Sequence, residues 1–112
     1  MEGVRRGDIV TVAAAGDYGK PRPALIIQSD AFDAIPSVTA LPLTSEIHDE
    51  HLIRITVAPT PGNGLRVTSQ VMIDKTITIP KARIGALIGR VDAGAMRAVN
   101  LALGRFLGLG GA

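Results

Sequence analysis

Hydrophobic and polar positions alternate in short runs over the first eighty residues, and near residue 92 the period changes. In Leu52-Ile53-Arg54-Ile55-Thr56-Val57, the apolar Ile53, Ile55 and Val57 fall on one side of an extended chain and Arg54 and Thr56 on the other, which predicts a half-buried strand. The segments Asp8–Val12, Ala24–Gln28, Val38–Leu43, Gln70–Ile73 and Thr76–Ile79 are likewise rich in Val, Ile and Thr and bounded by Gly, Pro, Asn or Asp. Each is predicted to be a strand. Ala24 to Ile27 is apolar without interruption, the pattern of a strand covered on both faces. Pro61-Gly62-Asn63-Gly64 predicts a tight turn. From Asp92 onward, Met96, Val99, Leu103 and Phe106 recur at steps of three and four, so one helix is expected, with Asp92 as its N-cap and Gly108 as its stop. Leu101 lies off that stripe. Gly85-Ala86-Leu87-Ile88-Gly89 has small-xxx-small spacing but lacks the long apolar segment that would give the spacing meaning, and no element is assigned to it. The simplest assembly is one domain over residues 1–112, a small barrel of short antiparallel strands with a terminal helix packed on it.

Composition narrows the chemistry. With no cysteine among 112 residues there is no disulfide framework and no thiolate metal site. No apolar run approaches the ~20 residues that span a bilayer, and the first residues enter a strand pattern without a signal-peptide core. A soluble cytoplasmic protein is expected. The net charge of +2 is unevenly spread: residues 1–53 carry four Lys/Arg against eight Asp/Glu, and residues 54–112 carry eight against two. The second half is the candidate surface for a polyanion. Tyr18, Phe32 and Phe106 are the only aromatics, which argues against the stacking platforms of general single-strand binders. Bound RNA would have to be held by phosphate contacts and base-edge hydrogen bonds.

One segment places an arginine in a stiff frame. In Lys20-Pro21-Arg22-Pro23 the prolines push Lys20 and Arg22 toward extended geometry at the mouth of the apolar strand. A guanidinium held there suits a phosphate whose charge grows during reaction; the alternative is a solvated strand-edge arginine. Thr44 and Ser45 follow the strand Val38–Leu43, where their hydroxyls either close a local turn or bind a phosphate. His48-Asp49-Glu50-His51 lacks the His-Glu-x-x-His spacing and offers at most two histidine ligands, so it is read as a solvated acidic loop, with no metal site. Tyr18 could stack on a base and Lys20 could steer phosphate, against plain turn residues.

The series Arg6-Gly7-Asp8-Ile9-Val10, Lys20-Pro21-Arg22-Pro23, Leu41-Pro42-Leu43-Thr44-Ser45, Gly64-Leu65 and Ser69-Gln70-Val71-Met72-Ile73-Asp74, closing on a helix that ends Phe106-Leu107-Gly108-Leu109, resembles the MazF/PemK family of toxin–antitoxin endoribonuclease toxins over nearly the whole chain. The resemblance implies an α+β, mainly β fold, an SH3-like partly open antiparallel barrel with a C-terminal helix. It implies a cytoplasmic homodimer whose partners are single-stranded RNA and a cognate antitoxin, with no cofactor and no membrane. It also implies that Arg22 and Thr44 are the principal catalytic residues. Asp74 is the provisional base, in a position where some members carry a catalytic aspartate. One branch of the family has an arginine two positions before that aspartate, where this chain has Met72. Lys20, Tyr18, Ser45, Ser69 and Gln70 are the provisional substrate contacts.

Without cysteine ligands or a carboxylate-rich spacing, the expected nucleophile is the substrate's own 2′-hydroxyl, which leaves a 2′,3′-cyclic phosphate and a 5′-hydroxyl. Two rival readings stand beside this one. A DNA-gyrase poison of the CcdB type shares the fold, but such toxins engage gyrase through a tryptophan-containing end that this chain lacks. The other is an SH3-like interaction module without enzyme activity, since a fold does not determine a function.

Overall fold

The computed structural model describes residues 3–13, 20–49 and 52–111. Among the described residues seven strands follow one another as β1 (Asp8–Ala13), β2 (Pro21–Ile26), β3 (Ser37–Thr44), β4 (Arg54–Val57), β5 (Ser69–Met72), β6 (Ile77–Pro80) and β7 (Ile84–Arg90), and the α-helix α1 (Ala93–Leu107) comes after them. The sheet order is β4-β5-β3-β2-β1-β7, with β6 paired to β3 off that path. All pairings are antiparallel. β3 organises the sheet. Its start, Ser37 to Ala40, pairs with β6; its last two residues, Leu43 and Thr44, pair with β5; and Ala40 to Pro42 pair with β2 along the other edge.

Side-chain alternation sends successive residues of β2 into two separate cores. Leu25 joins Ile9, Leu41, Leu43, Val71 and Ile73 beneath α1, which contributes Val99 and Ala102. Ala24 and Ile26 join Val10, Val12, Val38, Ala40 and Ile79 on the opposite face. All three β2 residues are buried, as the uninterrupted apolar run predicts for a strand covered on both sides.

β4 and β7 do not pair, so the strands form a curled, partly open sheet and do not close into a barrel. The segment after β4 bridges the gap. Arg90 N donates to Gly62 O at 2.8 Å. Buried Asn63 fixes this segment: its Oδ1 accepts from Thr60 N at 3.0 Å and Leu65 N at 2.9 Å, and its Nδ2 donates to Ala58 O at 2.9 Å. A Cβ on Gly89 would stand 2.4 Å from the Asn63 carbonyl carbon, so only glycine lets β7 approach. The predicted turn at 61–64 is therefore present, and it serves as a closure of the sheet.

Several element boundaries differ from the sequence expectation. β7 was not predicted, because Gly85 and Gly89 dilute its strand signal. β2 starts earlier than expected, at Pro21, and stops at Ile26 because Ile27 N and Gln28 N both turn to Thr39 O, at 3.1 and 3.3 Å. β4 starts at Arg54, leaving Leu52 exposed. The caps of α1 are those expected: Asp92 Oδ1 accepts from Ala95 N at 2.7 Å, and Gly108 takes the left-handed conformation at φ 72°. The expected stripe faces the core at Met96, Val99 and Leu103 and fails only at Phe106. Val99 and Ala102 are buried and Met96 and Leu103 half-buried, while Phe106 and Leu107 stay exposed because the last turn runs beyond what the core covers.

Candidate active site

The β2–β3 ladder ends at Ala24↔Pro42. Extending its register by two places sets Arg22 opposite Thr44, on the same face. There the two strands part company. Arg22 remains paired with Val12 of β1, and Thr44 pairs with Gln70 of β5. Pro21 and Pro23 have no N–H to offer β3, so the sequence itself ends the ladder at this place. The resulting fork opens into a groove of about 1150 Å³, with Arg22 and Thr44 both in its lining. Arg22 is exposed.

Thr44 is half-buried, and its Oγ1 accepts from Glu46 N at 3.1 Å. The local Ser/Thr turn is thus formed, yet a hydroxyl that accepts retains its own proton to donate. Ser45 and Glu46 follow it in the groove lining, and both are exposed. Ser69 also lines the groove, but it is buried and its hydroxyl donates to Val67 O at 3.1 Å. Gln70 is 2 % exposed, with both ends of its amide engaged by His48 and Thr56. In this structure its hydrogen bonds go to the protein.

Asp74 lies beyond β5, outside the groove lining. Its Oδ1 accepts from Arg54 Nη1, and Lys75 Nζ stands 3.8 Å from Oδ2. Burial works to raise the Asp74 pKa, but the Arg54 hydrogen bond, a local backbone hydrogen bond and the two positive charges outweigh it and hold the carboxyl below its ordinary value. Arg54 is directly opposite Met72 in the β4–β5 register. A guanidinium therefore stands beside the aspartate although the residue two places before it is a methionine.

Lys20 is exposed at the entry to β2. Tyr18, Glu50 and His51 lie outside the described residues. Among the described residues, no group of three His, Cys, Asp or Glu side chains is placed to hold a metal ion, and no helix is long and apolar enough to cross a membrane. The charge of the second half is partly consumed by the fold: Arg90 Nη1 bonds Asp8 Oδ1 at 2.7 Å, and Arg54 bonds Asp74. Arg66, exposed in the groove lining, brings positive charge to the same groove as Arg22. The sequence reading passed over it, although it directly follows Gly64-Leu65.

Comparison with known proteins agrees with this geometry. Residues 5–107 match the family of PemK-like, MazF-like toxins of type II toxin–antitoxin systems. The chain is 49% identical over 109 residues to a protein of Mycolicibacterium smegmatis named "Probable endoribonuclease MazF", covering 96% of this chain and 100% of that relative. Among solved structures, the Mycobacterium tuberculosis toxin MazF-mt6 superposes with a TM-score of 0.77 at 28% identity, covering 91% of this chain and 97% of that one. A mycobacterial endoribonuclease solved in complex with its cognate antitoxin matches with a TM-score of 0.75 at 26% identity, over 97% of each chain. A family match spanning almost the whole chain, with a relative 49% identical over 96% of it, makes this protein a member of the PemK/MazF family of toxin–antitoxin toxins.

Proposed function

We propose that this chain is a metal-independent, sequence-specific endoribonuclease that cleaves single-stranded RNA, messenger RNA above all, and so arrests translation. The observation that carries the reading is the fork at the end of the β2–β3 ladder, which sets an arginine and a threonine on opposite sides of one groove. RNA supplies its own nucleophile in the ribose 2′-hydroxyl. What the protein must add is a clamp for the phosphate and stabilisation of the charge that grows on it. Arg22 stabilises that charge. As a proton donor it is poorly suited, since a guanidinium does not give up its proton near neutral pH. Thr44 donates a hydrogen bond from its hydroxyl to a non-bridging phosphate oxygen; as the 2′-oxygen bonds to phosphorus the P–O5′ bond breaks, and the departing 5′-oxygen takes its proton from solvent. Asp74, kept ionised by Arg54, accepts the 2′-hydroxyl proton; its low pKa makes it a weak base and its contribution smaller than that of Arg22. Lys20, Tyr18, Ser45 and Ser69 contact the substrate around this centre, and Arg66 adds attraction for the phosphate backbone.

The proposal extends to assembly and place. The protein works in the cytoplasm as a homodimer and is silenced by a cognate antitoxin whose acidic segment meets the basic second half of the chain. Support comes from the family and from the solved toxin–antitoxin complex that the chain resembles.

Incubation of the purified protein with a long RNA in excess EDTA tests the chemistry. Cleavage is expected to persist and to leave a 2′,3′-cyclic phosphate (or its opened 3′-phosphate) and a 5′-hydroxyl. A 2′-deoxy substitution on the 5′ side of the cut is expected to block it. A 5′-phosphate product, or activity lost on chelation and restored by magnesium, overturns the mechanism.

A further inference from the structure

The loop after Thr44 has no strand partner, yet Gln70 holds it as a strand would. Gln70 Oε1 accepts from His48 N at 2.9 Å, and Nε2 donates to His48 O at 2.9 Å. A side-chain amide thus takes the place of a peptide group in an antiparallel pairing. Nε2 also donates to Thr56 Oγ1 at 3.0 Å, which fixes the orientation of the amide from the neighbouring strand. The other end of the loop is held by Thr44 Oγ1, which accepts from Glu46 N. Residues 45–47 are consequently tied at both ends, on one side by the hydroxyl that faces the groove and on the other by a side chain that is 2 % exposed. Gln70 is itself the cross-strand partner of Thr44. One residue therefore lies behind the threonine and clasps the loop that follows it.

We infer that Gln70 is a positioning residue for both the rate and the site preference of cleavage: it keeps the 45–49 loop in one conformation, so that Thr44, Ser45 and Glu46 present a fixed edge to the phosphate and to the base beside the cut. This inference rests on the groove being an RNA-cleaving site. The physical reason is preorganisation. A loop whose backbone is already ordered loses little freedom when substrate binds, and a displacement of about 1 Å at the reacting atoms costs on the order of 10²-fold in rate. A free loop would also fit several base sequences, whereas a clasped one accepts fewer.

The test compares Gln70→Met, which keeps length and loses every hydrogen bond, with Gln70→Glu, which keeps the acceptor for His48 N and, entering the buried site protonated, restores through its carboxyl O–H the donor to His48 O. Thr56→Val, which removes only the outer bond, is the control. Expected for Gln70→Met is a fall in kcat of about 30- to 100-fold with KM changed less than about threefold, together with cuts at sequences that the wild type leaves intact. Gln70→Glu is expected to fall between Gln70→Met and wild type, and Thr56→Val to stay within about threefold of wild type. Hydrogen exchange reports the clasp independently of activity: the His48 amide loses protection in Gln70→Met while the amides of α1 keep theirs. Wild-type rate and an unchanged cut map in a folded Gln70→Met protein overturn the inference, as does His48 protection equal to that of wild type. Should the wild-type protein cut no RNA at all, it is the reading of the groove that fails; an active wild type with indifferent Gln70 variants fails this inference alone.

Discussion

The two ends of the β2–β3 pair are built from the same strands and do opposite work. Past the last rung, at Ala24↔Pro42, lies the apolar end, where Leu25, Leu41, Ile26 and Ala40 are buried in the two cores. Before it, Pro21 and Pro23 withhold backbone donors, and the strands carry Arg22 and Thr44 to a groove. Side chains at the first end are needed by the fold; those at the second are the ones proposed to carry the chemistry. Substitutions at the two ends should separate cleanly into losses of stability and losses of activity.

The largest effect on activity is expected from Arg22→Ala. Removing a group that stabilises the charged transition state costs about 10²- to 10³-fold in kcat. An exposed residue outside the core shifts stability by no more than about 0.5 kcal/mol. Arg22→Lys should also be severely impaired, because an ammonium cannot present a bidentate fork. Initial rates on a mapped RNA, with urea unfolding on the same samples, check both halves. An Arg22→Ala protein cutting at the wild-type rate would remove Arg22 from the site.

Thr44→Val should follow, at about 10²-fold, since it keeps the branched shape and loses the hydroxyl that accepts from Glu46 N and is proposed to bind the phosphate. Thr44→Ser should recover most of the rate. The converse substitution at the buried end is Leu25→Ala, for which burial predicts a loss of about 2–5 kcal/mol of stability. Its specific activity, corrected for the folded fraction, should match wild type. A Leu25→Ala protein that is fully folded but inactive would show that the two ends are not separable.

The same division explains what could be read from the sequence. The buried end was legible because burial leaves a pattern: alternation in β4, the unbroken apolar run in β2, the caps of α1. That Arg22 and Thr44 would lie near one another was suggested by the prolines and the motif that mark their strands, and both line one groove. Gln70 appears in the sequence as one more polar residue in a strand, and nothing local says that its amide turns inward to hold a loop twenty-two residues away. Arg54 and Asp74 are twenty residues apart, and the Asn63 hub serves a gap between strands that only the three-dimensional fold creates. β7 was missed for a related reason. Its glycines are poor strand formers by themselves, and they are placed by the close approach of Asn63.

The smallest expected effect concerns Asp74, a polar group outside the groove lining that the fold has already engaged. Arg54 and Lys75 hold its carboxyl below the ordinary value of 3.8 against the opposing effect of burial. A carboxylate whose pKa is lower in the folded than in the unfolded protein contributes stability that is fully present above the unfolded pKa and is lost as pH falls through the folded one. Asp74→Asn should therefore be less stable than wild type at pH 7, and the gap should narrow as pH drops from just above 3.8 to below it. Thermal unfolding of the two proteins across pH 7 to 3 measures that gap, and a gap that widens on acidification would reverse the assigned direction. The same variant also tests where the boundary between fold and function runs. If Asp74 serves as the proton acceptor, kcat for Asp74→Asn falls at neutral pH by more than its lost stability can explain. If the Arg54–Asp74 pair only braces the β4–β5 edge, the loss of stability appears alone, and the functional surface ends at Thr44 and the loop clasped behind it.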